Sequence, residues 1–381
     1  MTDYDGFSIF KNRLELEGTL TTITALRIGS GRSLEPIGTD LPVIKDAFNR
    51  PLIPGSSFKG ALRSRLESFL RGVLGDDRKL VANPAVEKEW SLTADEIKQL
   101  KGMTFDELAI WLWTKEHTDL PSFKERYELI ALKRKREQNS SYTPSEQETP
   151  LLPIVNRLPT GEALKALKES YVSIDAALTK AIFQETDLIS SAFGSPWQSS
   201  KFQVRDLTVN PNIWFGQYQE RDGVSIDRDT ETAADGRLYD FQVVPAGTEF
   251  RFKAVFENAE TLSNGQFEHW ELGLLVLGLQ QFKNQQIPLG GGNSRGLGVV
   301  ELEIEKVVWV DPEGDAGRLR DYMRSLCQND LSAYTLIDKK EETDTGQFEE
   351  LKRDWSEALI NYLSMLAGLA PAESTTESVE A

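Results

Sequence analysis

The fold is decided by a glycine-rich stretch that begins at residues 24–32, which read Thr-Ala-Leu-Arg-Ile-Gly-Ser-Gly-Arg, and reaches residues 54–60, which read Pro-Gly-Ser-Ser-Phe-Lys-Gly. Between them, residues 37–46 read Ile-Gly-Thr-Asp-Leu-Pro-Val-Ile-Lys-Asp. After them, residues 61–70 place apolar side chains at helical spacing, with arginines on another face. This order predicts a strand, a glycine turn, a loop, a second strand, a Gly-Ser-Ser loop and a helix.

A second glycine-rich segment lies at residues 290–298, which read Gly-Gly-Gly-Asn-Ser-Arg-Gly-Leu-Gly. Because glycine has no Cβ, backbone N–H groups in both segments can approach an anion closely. Each segment also carries one fixed positive charge and small hydroxyl side chains that donate hydrogen bonds. Together the two segments predict a cradle for a chain of phosphates, although either one alone could be a tight turn between strands.

Spacing excludes two familiar nucleotide-binding motifs. A P-loop ends in Gly-Lys followed by Ser or Thr, but here Lys59 is followed by Gly60 and Ala61. The dinucleotide fingerprint needs a glycine where the second segment has Arg295. That segment also leads into residues 299–304, whose alternating pattern predicts a strand instead of a helix.

The charge of the chain is unevenly distributed. The 381 residues carry a net charge of −17, which at first sight argues against nucleic acid. Residues 341–381 hold ten acidic and two basic residues, whereas residues 27–71 hold eight basic and four acidic ones. An acidic molecule with this basic stripe can still bind RNA. The single cysteine, Cys327, and the lack of a signal-peptide pattern or a membrane-length apolar run predict a cytoplasmic protein.

The remaining chain indicates a β-rich host interrupted by helices. We predict a core at residues 1–75 and 186–311, with strands at 14–22, 202–207 and 238–245 and a helix at 267–282. A helical insertion at 76–185 would contain capped helix starts at 91–96 and 104–107, a mobile loop at 137–153 and a helix at 161–183. Residues 312–381 would form C-terminal helices, with 316–365 helical, and an acidic tail. The two histidines, His117 and His269, are interpreted as ordinary helix residues.

Asp40 is the residue that most invites a chemical role. A carboxylate near a bound phosphodiester costs Coulomb repulsion, so its presence among basic residues needs a reason. It could orient or deprotonate a ribose 2′-hydroxyl, or hold a divalent metal that does so. The alternatives are a helix cap, a turn aspartate or an ion-pair partner of Lys45.

These motifs together resemble the backbone RAMP subunits of type III CRISPR–Cas effector complexes. The resemblance is carried by residues 26–31, 37–46, 51–60, 202–207, 226–241 and 290–298, in the family's order. It implies an α+β fold with a modified ferredoxin-like or RRM-like core, a thumb hairpin at about residues 212–236 and a helical insertion suggestive of a D-subtype variant. In cleaving members an aspartate of the Ile-Gly-x-Asp loop promotes scission of target RNA, and Asp40 stands at that position, although its spacing is one residue shorter.

The resemblance also implies ligands, partners and contact residues. The partners would be CRISPR guide RNA, complementary target RNA and other type III effector subunits, with no membrane, and a divalent metal, Mg²⁺, would assist cleavage. The residues expected to bind RNA are Arg27, Ser30, Lys45, Gly55, Ser56, Ser57, Lys59, Arg63, Gly291, Gly292, Asn293, Ser294 and Arg295. Three alternatives stay open: a non-cleaving backbone subunit, a nuclease that processes guide RNA, and a binder of small nucleotides.

Overall fold

The chain has an α+β fold, as the sequence predicted. A computed structural model describes residues 9–31, 41–75, 77–83, 90–120, 122–139, 141–226, 233–260 and 267–369. The strands in chain order are β1 (Arg13–Thr22), β2 (Leu52–Ile53), β3 (Phe202–Val204), β4 (Leu207–Val209), β5 (Gln219–Ile226), β6 (Ala233–Val243), β7 (Glu249–Glu257), β8 (Val300–Val310), β9 (Thr335–Asp338) and β10 (Thr343–Asp344). The α-helices are α1 (Gly55–Leu74), α2 (Ala94–Lys101), α3 (Phe105–His117), α4 (Phe123–Gln138), α5 (Leu152–Val155), α6 (Gly161–Glu169), α7 (Ile174–Gln184), α8 (Leu188–Phe193), α9 (Trp270–Lys283), α10 (Ala316–Gln328) and α11 (Gln347–Leu366).

The chain divides into two compact units, one formed by residues 1–9 and 76–199 and the other by residues 10–75 and 200–381. Within the described part of the second of these, which we call the sheet unit, eight strands form one sheet in the order β10-β9-β8-β1-β7-β4-β2, with β3 also paired to β7. The alternation seen in the sequence of β1 is confirmed: Leu14, Leu16, Gly18 and Leu20 are buried, and the residue between each pair of them is half-buried. β1 pairs antiparallel with β7 on one side and β8 on the other.

Helices α1 and α9 close the core of the sheet unit. The ring of Phe58 in α1 stacks on Phe282 of α9 with 4.4 Å between centroids and tilts against Phe252 of β7 at 5.1 Å. All three rings are fully buried, and each contributes roughly 2 kcal/mol through the apolar area that it removes from water. The start of α1 is therefore held rigidly against the sheet.

The other unit, which we call the helical unit, contains α2 to α8. The sequence signals for its helix starts are confirmed, because Thr93 with Glu96 and Thr104 with Glu107 both form reciprocal capping boxes. Its core includes Trp111, whose ring lies 4.6 Å from that of Phe123.

Three local predictions were wrong. Residues 316–365 do not form continuous helix, because β9 and β10 lie between α10 and α11 and extend the sheet through β8. The segment 161–183 is two helices, since the Ser173 hydroxyl caps the start of α7. The segment 137–153 is not a single loop, because it contains the end of α4, a 3₁₀ turn at Thr149–Leu151 and the start of α5.

A separate two-stranded hairpin projects from the sheet unit. Strands β5 and β6 pair antiparallel from Gln219 opposite Val243 onwards, and the turn between them at residues 227–232 lies outside the described residues. The hairpin overlaps the range of about residues 212–236 expected for the thumb, but it begins at Gln219 and β6 runs on to Val243 as one continuous strand. Its base is tied to the core by bridges between Leu26 and Val244 and between Leu41 and Phe241.

Candidate nucleic-acid interface

The sequence predicts a loop at the first glycine-rich segment, residues 54–60. In the structure this segment instead forms the N-cap and first turns of α1. Pro54 is the N-cap, and its carbonyl oxygen accepts from the N–H groups of Ser57 and Phe58 at 2.9 and 3.2 Å. The Gly55 N–H donates to Asp206 Oδ1 at 2.8 Å. A Cβ on Gly55 would lie 2.4 Å from the Val204 carbonyl oxygen. This glycine is thus required by close packing on β3, and its N–H already has an anionic partner.

Lys59 is the cation that this helix start presents. Its Nζ donates to Ser200 Oγ at 2.6 Å. Burial of the ammonium group, and secondarily the charge of Arg63, lower the pKa of Lys59 to about 8. The Arg63 Nε donates to Glu67 at 2.7 Å, so much of its charge is balanced one helical turn away. Ser56 is exposed and Ser57 half-buried.

The second glycine-rich segment, residues 290–298, is an exposed loop built on left-handed glycines. Gly290, Gly292, Gly296 and Gly298 all have positive φ. Residues Asn293–Arg295 form a 3₁₀ turn and are all exposed. The first N–H groups of such a turn have no partner within the helix. The Arg295 side chain lies on the same exposed turn, so cation and turn both face solvent.

Backbone hydrogen bonds join the two glycine-rich segments. The Gly291 N–H donates to the Arg27 carbonyl at 2.8 Å, and the Ile44 N–H donates to the Ile28 carbonyl at 2.9 Å. The Leu52 N–H then donates to the Ile44 carbonyl at 3.2 Å, directly before α1. The structure therefore brings the second segment, the extended chain around Arg27, the extended chain around Lys45 and the start of α1 into one hydrogen-bonded surface, which we call the glycine ladder.

Arg27, Ser30 and Lys45 lie along this ladder. The Arg27 guanidinium packs on the buried Phe241 ring at 4.8 Å, and Lys45 Nζ lies 4.4 Å from the centre of the Tyr218 ring. The Ser30 N–H and hydroxyl both donate to the Pro42 carbonyl, at 3.1 and 3.3 Å. Ser30 thus serves mainly to hold the ladder together, whereas the two cations extend from it.

Asp40 lies outside the described residues, but the next residue is anchored. The Leu41 N–H donates to the Asp240 carbonyl at 3.2 Å, and the Gln242 N–H donates to the Leu41 carbonyl at 3.1 Å. Leu41 packs in a small core cluster with Ala25, Phe241, Val243 and Leu297. The chain that leaves Asp40 is therefore fixed to the base of the β5–β6 hairpin and close to the second glycine segment.

Several features of this surface escaped the sequence analysis. Asp206 and Ser200 bind the start of α1 from positions 151 and 141 residues away, and no local pattern signals such pairings. Gly60 is an exposed helix residue whose added Cβ would meet nothing within 4 Å. The glycine at position 60 is part of the segment 54–60, but the sequence does not show that this residue lies exposed within a helix.

Two kinds of group are absent from the described residues. Over the ranges that the structure covers, no three histidine, cysteine, aspartate or glutamate side chains are placed to hold a metal ion. Among the same residues, none of the helices is both long enough and apolar enough to cross a lipid bilayer.

Comparison with known proteins defines the class of this fold and site. The family model described as the RAMP superfamily matches residues 19–301, which include both glycine-rich segments and the hairpin, and the chain belongs to this superfamily.

Within it, the chain is similar to proteins named CRISPR system Cms endoribonuclease Csm3. The protein from Mycobacterium tuberculosis is 32% identical over 110 residues, which are 24% of this chain and 47% of the relative. The protein from Methanocaldococcus jannaschii is 50% identical over 58 residues, 15% of this chain and 23% of the relative. The protein from Enterococcus italicus is 42% identical over 61 residues, 16% and 28% of the two chains. The chain thus spans less than half the length of these relatives.

Proposed function

We propose that this chain is a CRISPR RNA-binding backbone subunit of a type III effector complex that cleaves complementary target RNA. Guide RNA, target RNA and other effector subunits are its proposed partners, and the cytoplasm its proposed location. The observation that carries the proposal is the glycine ladder, a hydrogen-bonded surface that joins the exposed turn Asn293–Arg295 to the cations Arg27 and Lys45 and to the start of α1, in a RAMP-superfamily chain. The Csm3 names of the similar proteins support both the complex and the endoribonuclease activity.

RNA would be held by its backbone, and sequence would be left to base pairing. We assign the strongest phosphate contacts to the second segment, at Gly292, Asn293, Ser294 and Arg295, because the turn Asn293–Arg295 is exposed. Gly291, whose N–H donates to the Arg27 carbonyl, would contribute by letting the RNA backbone come close. Lys59 and the hydroxyls of Ser56 and Ser57 would provide a second contact at the start of α1. Arg27 and Lys45 would lie between the two. Ser30, Gly55 and Arg63 would act mainly by positioning, because each is already engaged within the protein.

We propose Asp40 as the catalytic carboxylate. It would accept the proton of a ribose 2′-hydroxyl, whose oxygen attacks the adjacent phosphorus while the bond to the 5′-oxygen breaks. The leaving 5′-oxygen takes a proton from water, so the products are a 2′,3′-cyclic phosphate and a 5′-hydroxyl end. The anchoring of Leu41 at the hairpin base supports this role, because a target nucleotide displaced by the hairpin would lie near that position.

A divalent metal, with Mg²⁺ as the simplest candidate, is proposed as an aid to cleavage. The described residues contain no ready-made ligand set for it, so we derive no step through a metal. Chelation by EDTA followed by restoration with Mg²⁺ tests the requirement directly.

The decisive experiment compares the wild type with Asp40→Ala and Asp40→Asn in the complex assembled from its operon partners. We expect guide RNA to copurify with all three. It would be detected as an increased ratio of nucleic-acid absorbance to protein absorbance in the ultraviolet. Cleavage at this subunit's position should disappear in both variants, and also for a target with a 2′-deoxy nucleotide at that position. Unchanged cleavage products in both variants would mean that this subunit holds RNA without cutting it.

A further inference from the structure

An exposed aromatic segment precedes the hairpin, and the proposed function does not use it. Residues 210–218, between β4 and β5, carry Trp214, Phe215 and Tyr218. The Phe215 ring is 61% exposed, and Phe48, on the neighbouring turn, is 77% exposed. Exposed apolar side chains that form a contiguous patch, unlike single ones, mark interaction sites. We call Phe48, Trp214, Phe215 and Tyr218 the aromatic patch.

The patch is held in place by its own contacts. Asn210 fixes the turn, since its carbonyl accepts from the Trp214 N–H at 3.2 Å and its side chain from the Asn212 N–H at 3.2 Å. The Trp214 ring packs between Phe215 at 5.3 Å and Tyr218 at 5.2 Å. The Tyr218 hydroxyl donates to the Asn49 carbonyl at 2.8 Å, which connects the two turns of the patch. Rings fixed in this way lose little entropy on binding a ligand.

Cations border the patch. Lys45 Nζ lies 4.4 Å from the centre of the Tyr218 ring, and Lys45 belongs to the glycine ladder. The Arg50 guanidinium lies 4.8 Å from the Phe48 ring and is paired with Asp46 at 2.7 Å. Burial, and secondarily the charge of Asp46, raise the pKa of Tyr218 to about 12, so its hydroxyl stays protonated and uncharged at neutral pH. The patch therefore combines exposed aromatic rings with Lys45, which also belongs to the glycine ladder.

We propose that the aromatic patch is a stacking platform for an unpaired RNA base whose adjacent phosphate is bound by Lys45. The inference rests on the proposed RNA-binding function and adds a base contact to a surface otherwise assigned to phosphates. Aromatic rings beside a basic groove are the usual means of holding single-stranded RNA, and every base has a face that can stack. Continuity with the glycine ladder favours RNA as the occupant over a protein partner.

The test uses short single-stranded RNA that contains 2-aminopurine, whose fluorescence falls when the base stacks. We expect Phe215→Ala and Phe48→Ala to weaken binding about tenfold each and to restore fluorescence, whereas Phe215→Tyr keeps the wild-type behaviour. Ile213→Ala is the matched control, because Ile213 is 45% exposed on the same turn and has no ring. All these side chains are exposed, so the variants should fold, and thermal unfolding verifies this.

The outcomes separate this inference from the function on which it rests. If the wild-type protein binds no RNA, the proposed function fails. If the wild type binds RNA but Phe215→Ala and Phe48→Ala leave affinity and fluorescence unchanged, the stacking platform alone is wrong. If they leave RNA binding intact but prevent assembly with other subunits, the patch is a protein contact and the inference is overturned.

Discussion

The two glycine-rich segments look alike in sequence but hold their glycines in different backbone conformations, helical at the start of α1 and mostly left-handed at residues 290–298. At the start of α1, Gly55 is needed because the chain packs against β3, and Asp206 already occupies its N–H. In the second segment, residues 292–296 face solvent around an exposed 3₁₀ turn. The comparison shows that a glycine motif can report on internal packing as readily as on a ligand. Only the surrounding contacts distinguish these two causes.

Each segment also contains one glycine that the fold does not require. A Cβ on Gly60 or on Gly291 would meet nothing within 4 Å, and neither residue has positive φ. In contrast, a Cβ on Gly290 would lie 2.1 Å from the Arg27 carbonyl oxygen. Gly55 and Gly290 are thus explained by folding, and under the proposed function Gly60 and Gly291 would allow RNA to approach.

The largest expected effect tests this division through stability. Gly55→Ala and Gly290→Ala should lower the free energy of unfolding by about 2–4 kcal/mol, because backbone must move to admit the methyl group. Gly60→Ala should instead raise it by about 1 kcal/mol, since alanine favours helix, and Gly291→Ala should change it little. Chemical denaturation followed by circular dichroism measures all four. Equal losses in the four variants would show that the division is wrong.

The next effect concerns the side chains of the two segments. Arg295→Ala and Lys59→Met should each weaken RNA binding about tenfold. Each should also reduce the slope of log affinity against log salt concentration by about one, because one fewer phosphate is neutralised. Lys59→Met should leave the free energy of unfolding within about 1 kcal/mol of wild type, because burial already disfavours the ammonium group. Arg320→Ala is the control, since Arg320 is an exposed arginine of α10. Filter binding at several salt concentrations provides the measurement.

A pH titration distinguishes the two segments further. The pKa of Lys59 is about 8 without RNA, and a phosphate beside it would raise that pKa. Binding then takes up a proton, so affinity should be constant below about pH 7 and fall about fivefold between pH 7.5 and 9. The Lys59→Met variant should lack this fall, and Arg295→Ala should keep it. A wild-type affinity that is flat over this range would remove Lys59 from the contact.

The smallest effect comes from the carboxylate at the start of α1. Asp206→Asn removes a negative charge from the helix N-terminus, so RNA affinity should increase two- to threefold at low salt. The same change should lower the free energy of unfolding by about 0.5 kcal/mol through the weaker cap. Isothermal titration calorimetry measures the RNA affinity, and chemical denaturation measures the free energy of unfolding. Weaker RNA binding in this variant would indicate that Asp206 orients the site instead of competing for it.

The sequence predicted the elements that local pattern determines. The alternation in β1, the leucines and arginines of α1 and the capping boxes at Thr93 and Thr104 each act within a few residues. The strands β9 and β10 escaped prediction because their pairing with β8 and each other depends on contacts that a local pattern does not contain.

The candidate site divides in the same way. The cations and glycines were visible in the sequence, but their accessibility was not. The sequence predicts Arg63 as a phosphate contact but does not predict its ion pair with the buried Glu67. The partners of Gly55 and Lys59 lie more than a hundred residues away along the chain. The RNA-binding assignments and the role of Asp40 remain predictions that the experiments above address.

Strand β6 binds two parts of the proposed site at once. Its residues on either side of Phe241 bond the backbone of Leu41, and the bond between Val244 and Leu26 follows directly after the strand. A continuous strand is stiff along its length, so any displacement of the hairpin by a seated duplex would pull on both attachments together. Binding of one RNA strand at the glycine ladder and cleavage of the other near Leu41 would then be coupled through β6.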